Sequence, residues 1–170
     1  MLAYIDLIRQ YLPLCWFKNN PLELTRSSGF FRQNLIAYFL IEYFMQANMT
    51  DDPFESFVEV SLETVLTLFF IGILMFFNKT LYAFVQVATS LILCANIVSL
   101  FIVPVMIWAT VSDDLLSYYL LVGLFLWDFA LVTFIFKKVV DINVLASLAL
   151  SLLYFITTYL GAFGLGQLIF

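Results

Sequence analysis

Residues 112–138 read SDDLLSYYLLVGLFLWDFALVTFIFKK: acids at one end, two lysines at the other, and an apolar run broken only by Asp128. Residues 115–136 would form a helix about 33 Å long at about 1.5 Å per residue, enough to cross a hydrocarbon core of about 30 Å. Ser112 is placed to cap this helix, with Asp113 and Asp114 at the positive end of its dipole. Lys137 and Lys138 complement the other end.

The same alternation runs through the rest of the chain. Arg9, Lys18, Arg26 and Arg32 lie near or before the first long apolar stretch, and Lys79 lies in the break between the second and third. The remaining breaks are acidic: Asp51, Asp52 and Glu55 in one, Asp113 and Asp114 in the other. Lys and Arg are retained on the cytoplasmic side during insertion. The pattern therefore predicts five spans at about 30–49, 57–78, 81–103, 115–136 and 142–162, with the N-terminus inside and the C-terminus outside. A bacterial inner membrane is the expected location.

Composition agrees. Hydrophobic residues make up 64% of the 170-residue chain and charged residues 11%, far from the roughly 45–50% and about 25% of a soluble domain. One soluble core of this size cannot hide that much apolar surface. The formal charge of −5 divides into a basic inside and an acidic outside. With no histidine, the commonest general base and metal ligand is missing, and neither a metal nor a cofactor is expected. There is no basic patch with interleaved aromatics to suggest nucleic acid.

The fold expected is all-α: a single domain of five transmembrane helices preceded by a short amphipathic helix. Residues 1–28 form the cytoplasmic or interfacial segment. Within it, residues 2–15 show Asp6, Arg9 and Gln10 on a narrow polar face, then Trp16, Phe17 and Lys18 as interfacial anchors. This helix either lies in the membrane interface or packs under the bundle. Asp6, Arg9 and Pro13 interrupt the run, so it does not read as a cleavable signal. Cys15 near the interface and Cys94 in the third span are not expected to pair.

Asp52 with Pro53 and Glu55 gives a helix-start signature. Thr80 and Asp141 are placed to cap the third and fifth spans. From Thr80 to Ser112 no charge occurs, a rod of about 50 Å, with Pro104 expected to end or kink it. Gly161, Gly164 and Gly166 suggest that the last helix weakens before the C-terminus.

Three groups of residues stand out. Glu42 and Asp128 fall inside spans, where an ionisable side chain costs several kcal/mol unless paired, protonated or hydrated. They form either a proton- or cation-handling pair or a lock between helices, with Gln86, Asn96, Ser151 or Tyr154 as partners. Glu55, Glu59 and Glu63 stack on one helix face at i, i+4, i+8, where like charges repel. A divalent cation, a basic partner or proton uptake would relieve them, and only oxygen ligands are offered. The alternative is a solvated first turn, for Glu55 and Glu59 above all. Ser147 and Ser151 allow close helix approach. No catalytic motif occurs: GxSxG, HExxH, CxxC and a phosphate loop are all missing, so no enzyme is expected.

Phe84-Val85-Gln86-Val87-Ala88-Thr89 leads to Pro104, followed by Phe125-Leu126-Trp127, the basic pair Lys137-Lys138 and Leu153-Tyr154-Phe155. With Asn20-Pro21-Leu22-Glu23-Leu24 before the first span, this resembles small bacterial members of the Yip (Ypt-interacting protein) family across essentially the whole chain. The resemblance implies five helices and a cytoplasmic N-terminus. The few polar residues at depth and the lack of a motif lead us to expect a non-enzymatic scaffold or accessory subunit acting through helix packing, with membrane lipids and a membrane-protein partner or second copy as partners. The resemblance brings no catalytic residues. The long soluble N-terminal segment of eukaryotic members is missing, which puts GTPase partnering in doubt. A small proton- or ion-coupled transporter or channel component built on Glu42 and Asp128 is the alternative.

Overall fold

A computed structural model describes residues 2–48, 52–112 and 114–169. Asp51 and Asp113 of the acidic breaks, and Met49 at the end of the first expected span, lie outside the described residues. Among the described residues every regular element is helical.

The chain begins with α1 (Leu2–Tyr11), a 3-10 turn (Leu12–Trp16) and a second short turn (Pro21–Glu23). Then come α2 (Ser28–Ala47), α3 (Pro53–Phe77), a turn at Leu81–Ala83, α4 (Phe84–Ser112) and α5 (Leu115–Val140). The last helical run consists of α6 (Val144–Phe155), a π-helical turn (Ile156–Leu160) and α7 (Gly161–Ile169).

Four of these runs are long and apolar enough to cross a membrane: Pro53–Phe77, Leu81–Ser112, Leu115–Val140 and Val144–Ile169. The other long helix, α2, has 20 residues but carries Arg32, Gln33, Asn34, Glu42 and Gln46, which dilute its apolar character.

Local chemistry sets most helix ends. Asp52 caps α3, its side chain accepting from the amides of Phe54 and Glu55. Three expected caps move. Asp114, not Ser112, caps α5 by accepting from Leu116 N, because Ser112 is still the last residue of α4. Asn143, not Asp141, caps α6. Asp141 instead ends α5 in the left-handed conformation at φ 55°, which an Asp tolerates better than most residues. Thr80 makes no side-chain cap, since its hydroxyl accepts from Asn78 Nδ2 at 3.2 Å.

Pro104 does not end α4, which runs on to Ser112. Proline cannot donate the backbone bond to Leu100 O, so it removes one rung of the ladder without terminating the helix. Nor do the glycines end the last helix. The irregularity falls earlier, at the π-helical turn, and α7 continues to Ile169.

Helix α4 is the centre of the bundle. Of its most apolar stretch 56% is buried, against 22–28% for the other three. Its buried face includes Ala88, Thr89, Ser90 and Ser99, small side chains that let neighbouring backbones approach.

The basic turns share one end of the molecule. Asn78, in the α3–α4 turn beside Lys79, donates to Val139 O at the end of α5 with a bond of 2.9 Å. Phe17 packs edge-on against Phe134 with ring centres 5.7 Å apart, and Lys138 Nζ sits 5.8 Å above that same ring. At the other end Gln167 of α7 donates to Glu55 at 3.0 Å. The charge asymmetry of the sequence is thus an asymmetry between the two ends of the bundle.

The N-terminal segment packs in part against the bundle. Ile5 and Ile8 stay over 40% exposed, while Tyr11, Leu14 and Cys15 are fully buried beneath the bundle. The α-helix stops at Tyr11 because Pro13 cannot continue its ladder. This burial overturns the expectation that the two cysteines stay apart: Cys15 Sγ lies 3.3 Å from Cys94 Sγ.

Candidate functional site

The interior polar site begins with two stripes on antiparallel neighbours. On α2, Tyr38, Glu42 and Gln46 recur at i, i+4, i+8, and on α3, Glu59, Glu63 and Thr67 do the same. Such spacing places each set on one helix face. The two faces meet: Tyr38 Oη donates to Glu63 Oε1 at 2.5 Å, and Gln46 Nε2 donates to Glu59 Oε2 at 2.5 Å. Thr67 Oγ1 lies 3.5 Å from Tyr154 Oη of α6.

The acidic stripe of α3 is therefore not a solvated first turn. Glu59 and Glu63 are only 6% and 8% exposed, and only Glu55 remains accessible, where it accepts from Gln167. Each carboxylate of the stripe accepts from its own neutral donor: Glu55 from Gln167, Glu59 from Gln46 and Glu63 from Tyr38. Among the described residues no cluster of acidic or cysteine side chains is arranged to hold a metal ion. Gly166 makes room for this arrangement, since a Cβ there would stand 2.9 Å from Glu59 Cγ.

Glu42 and Asp128, from α2 and α5, line one cavity of about 230 Å³ with Met45, Gln46, Ser99 and Tyr159 among its other walls. Glu42 also lies within electrostatic reach of Glu63. Asp128 and Tyr159 border a second groove with Phe125, Phe155, Ile156 and Leu160, so the acidic cavity adjoins the side of the bundle. The π-helical turn supplies Tyr159. Such turns insert an extra residue into the helix and occur often at functional sites.

Three of the partners expected for the two acids are engaged elsewhere. Asn96 Nδ2 donates to Asn34 O at 3.0 Å, Ser151 Oγ donates to Ser147 O at 2.9 Å, and Tyr154 faces Thr67. Neither Gln86 nor Asn96 lines the acidic cavity. Among the described residues Gln86 Oε1 and Asn96 Oδ1 are buried without a hydrogen-bond partner.

Tyr38, Gln46, Tyr159, Ser99 and Thr67 are the site residues that sequence reasoning missed. A signal existed for two of them: Tyr38 and Gln46 flank Glu42 at helical spacing and complement the acidic stripe. Tyr159 gave none, because its direction depends on the π-helical turn.

Chemically, the site brings four carboxylates into one half of the bundle with no Lys or Arg among its lining residues and hydrogen-bond donors. Its carboxyl groups can bind or release protons. No protein-family model matches the chain, and no curated protein or solved structure is similar enough to it to lend a fold or an activity.

Proposed function

We propose that the chain is a non-enzymatic five-pass membrane protein in which the cavity between Glu42 and Asp128 takes up and releases a proton or a small cation. The supporting observation is that both acids line a single cavity while their neighbours Glu59 and Glu63 each have a hydrogen-bond donor. A carboxyl group within a membrane span is expensive unless it is paired, hydrated, protonated or binds a cation.

In this reading α2 is the first span. Its polar residues are tolerated because Asn34 and Tyr38 face the bundle interior. The basic end, with Lys79, Lys137 and Lys138, faces the cytoplasm of a bacterial inner membrane by the retention of positive charge. This threading matches what the Yip resemblance implies.

The second reading is a Yip-like scaffold or accessory subunit working through helix packing with a membrane partner or a second copy. The close α3–α7 contact at Gly166 favours it, because the acids next to that contact would then serve only to hold helices together.

Glu42→Gln and Asp128→Asn separate the two. Wild-type protein in liposomes should carry a proton or Na⁺ flux that each variant reduces to the level of empty vesicles, with helical content unchanged. The proton-handling proposal fails if wild type gives no flux and no infrared band of a protonated carboxyl that Asp128→Asn removes. It fails equally if the variants lose only stability or partner recovery.

A further inference from the structure

The acidic cavity makes no use of the two cysteines, yet the fold brings them together across 79 positions of sequence. Cys15 sits in the Leu12–Trp16 turn with no exposed surface, and Cys94 sits in α4 with 2% exposed. Their sulfurs are 3.3 Å apart and share a hydrogen bond. A disulfide needs about 2.05 Å, so a shift of roughly an ångström closes the bond. Cys15 lies in a five-residue turn that ends at the exposed Trp16 and is followed by the exposed Phe17 and Lys18.

We propose that Cys15 and Cys94 form a reversible thiol–disulfide latch that staples the N-terminal segment to the central helix. The 3.3 Å contact with Cys94 holds the Cys15 thiol below its usual range, against the opposing effect of burial. Cys15 is therefore the attacking sulfur, since the thiolate is the nucleophile.

The oxidant is hydrogen peroxide, a small neutral two-electron oxidant. The Cys15 thiolate attacks one peroxide oxygen. An S–O bond forms, the O–O bond breaks, and hydroxide leaves to take up the thiol proton as water. The Cys94 thiol then attacks the sulfenic sulfur. The S–S bond forms, the S–O bond breaks, and the departing hydroxide takes the Cys94 proton as a second water. Two thiols lose two electrons and two protons, and peroxide is reduced to two waters. A dithiol reductant reverses the step by exchange.

The consequence is mechanical. Cys94 precedes Ala95, a wall of the acidic cavity, so the staple would hold the N-terminal segment against the helix that builds the site.

The test uses the full chain in lipid nanodiscs, treated with peroxide or with dithiothreitol. After peroxide, denatured protein should show no maleimide-reactive thiol, remain monomeric, and be cut several-fold more slowly by trypsin at Lys18 and Arg26. Dithiothreitol should restore both thiols and the cutting rate. In Cys94→Ser the second step is blocked, so dimedone should trap a sulfenic acid on Cys15. The proposal is overturned if both thiols persist, if the crosslink joins two chains, if Cys94→Ser yields no dimedone adduct, or if it shows the same slowing by peroxide.

Discussion

Tyr38→Phe removes one oxygen from the contact between α2 and α3. Tyr38 is 4% exposed and its acceptor Glu63 is 8% exposed, so no bulk water replaces the lost donor. Leaving a buried acceptor unsatisfied costs about 1–3 kcal/mol. Within membranes, hydrogen bonds measured by double-mutant cycles average only about 0.6 kcal/mol and reach about 1.7. The bond here is short, at 2.5 Å, and ends on a carboxyl group, which places it at the top of that range, about 1.5 kcal/mol. Glu63→Met removes the acceptor as well, and Tyr38→Phe in that background should cost almost nothing, because neither partner is then left stranded. The assay is reversible unfolding of the protein in mixed micelles by added sodium dodecyl sulfate, followed by fluorescence of the three tryptophans. A coupling energy within about 0.3 kcal/mol of zero, the usual error of additivity, would refute the reasoning that these two stripes hold the helices together.

Gly166→Ala should destabilise by about 1–3 kcal/mol through overpacking, because its Cβ meets Glu59 Cγ at 2.9 Å and Oε1 at 3.1 Å. Gly164→Ala meets nothing within 4 Å and should gain up to about 1 kcal/mol of helix propensity; equal effects in the same unfolding assay would remove the α3–α7 contact. Tyr11 is fully buried, its hydroxyl donates to Thr25 O at 2.9 Å, and burial pushes its pKa from 10.0 up to about 12. The raised value means that its contribution to stability is complete below pH 10 and is lost as pH rises toward 12. Subtracting the absorbance titration of Tyr11→Phe from that of wild type should isolate one tyrosine ionising near pH 12, and ionisation near pH 10 would show an N-terminal segment open to water.

Long-range charge placement was the most legible part of the chain. Lys79 and Lys137–Lys138 were read to one side from sidedness alone, and the Asn78–Val139 bond brings their turns together. Helix existence was legible for the same reason, since apolar runs bounded by charge leave few alternatives. Helix ends were less so. Ser112, Thr80 and Asp141 were all plausible caps by type, but caps are decided over two or three residues by where the backbone leaves helical geometry. Asn143 and Asp114 prevailed there. The N-terminal turn was hardest to read, because nothing local in Leu12-Pro13-Leu14-Cys15 says which distant helix will cover it.

The acidic site shows where pattern reading and packing part company. Glu55, Glu59 and Glu63 at four-residue spacing suggested a cation, a basic partner or proton uptake, or solvent in the case of Glu55 and Glu59, because like charges on one face repel. The alternative was hidden in α2, where Tyr38 and Gln46 offer neutral donors at the matching spacing. Neutral donors satisfy lone pairs without cancelling charge, so this solution leaves the net charge of the cluster unsettled. A lysine in place of Gln46 would have fixed the charge, and the site would then have been a permanent ion pair. With Gln and Tyr as the donors, the charge can change with occupancy while the hydrogen bonds persist. Under the proposed function Glu42 and Asp128 stand where that change falls, since both line the cavity. The same logic says which exchange matters most. Replacing Gln46 by Lys should silence any flux even with Glu42 and Asp128 intact, because a fixed cation beside the cavity removes the need for a mobile one.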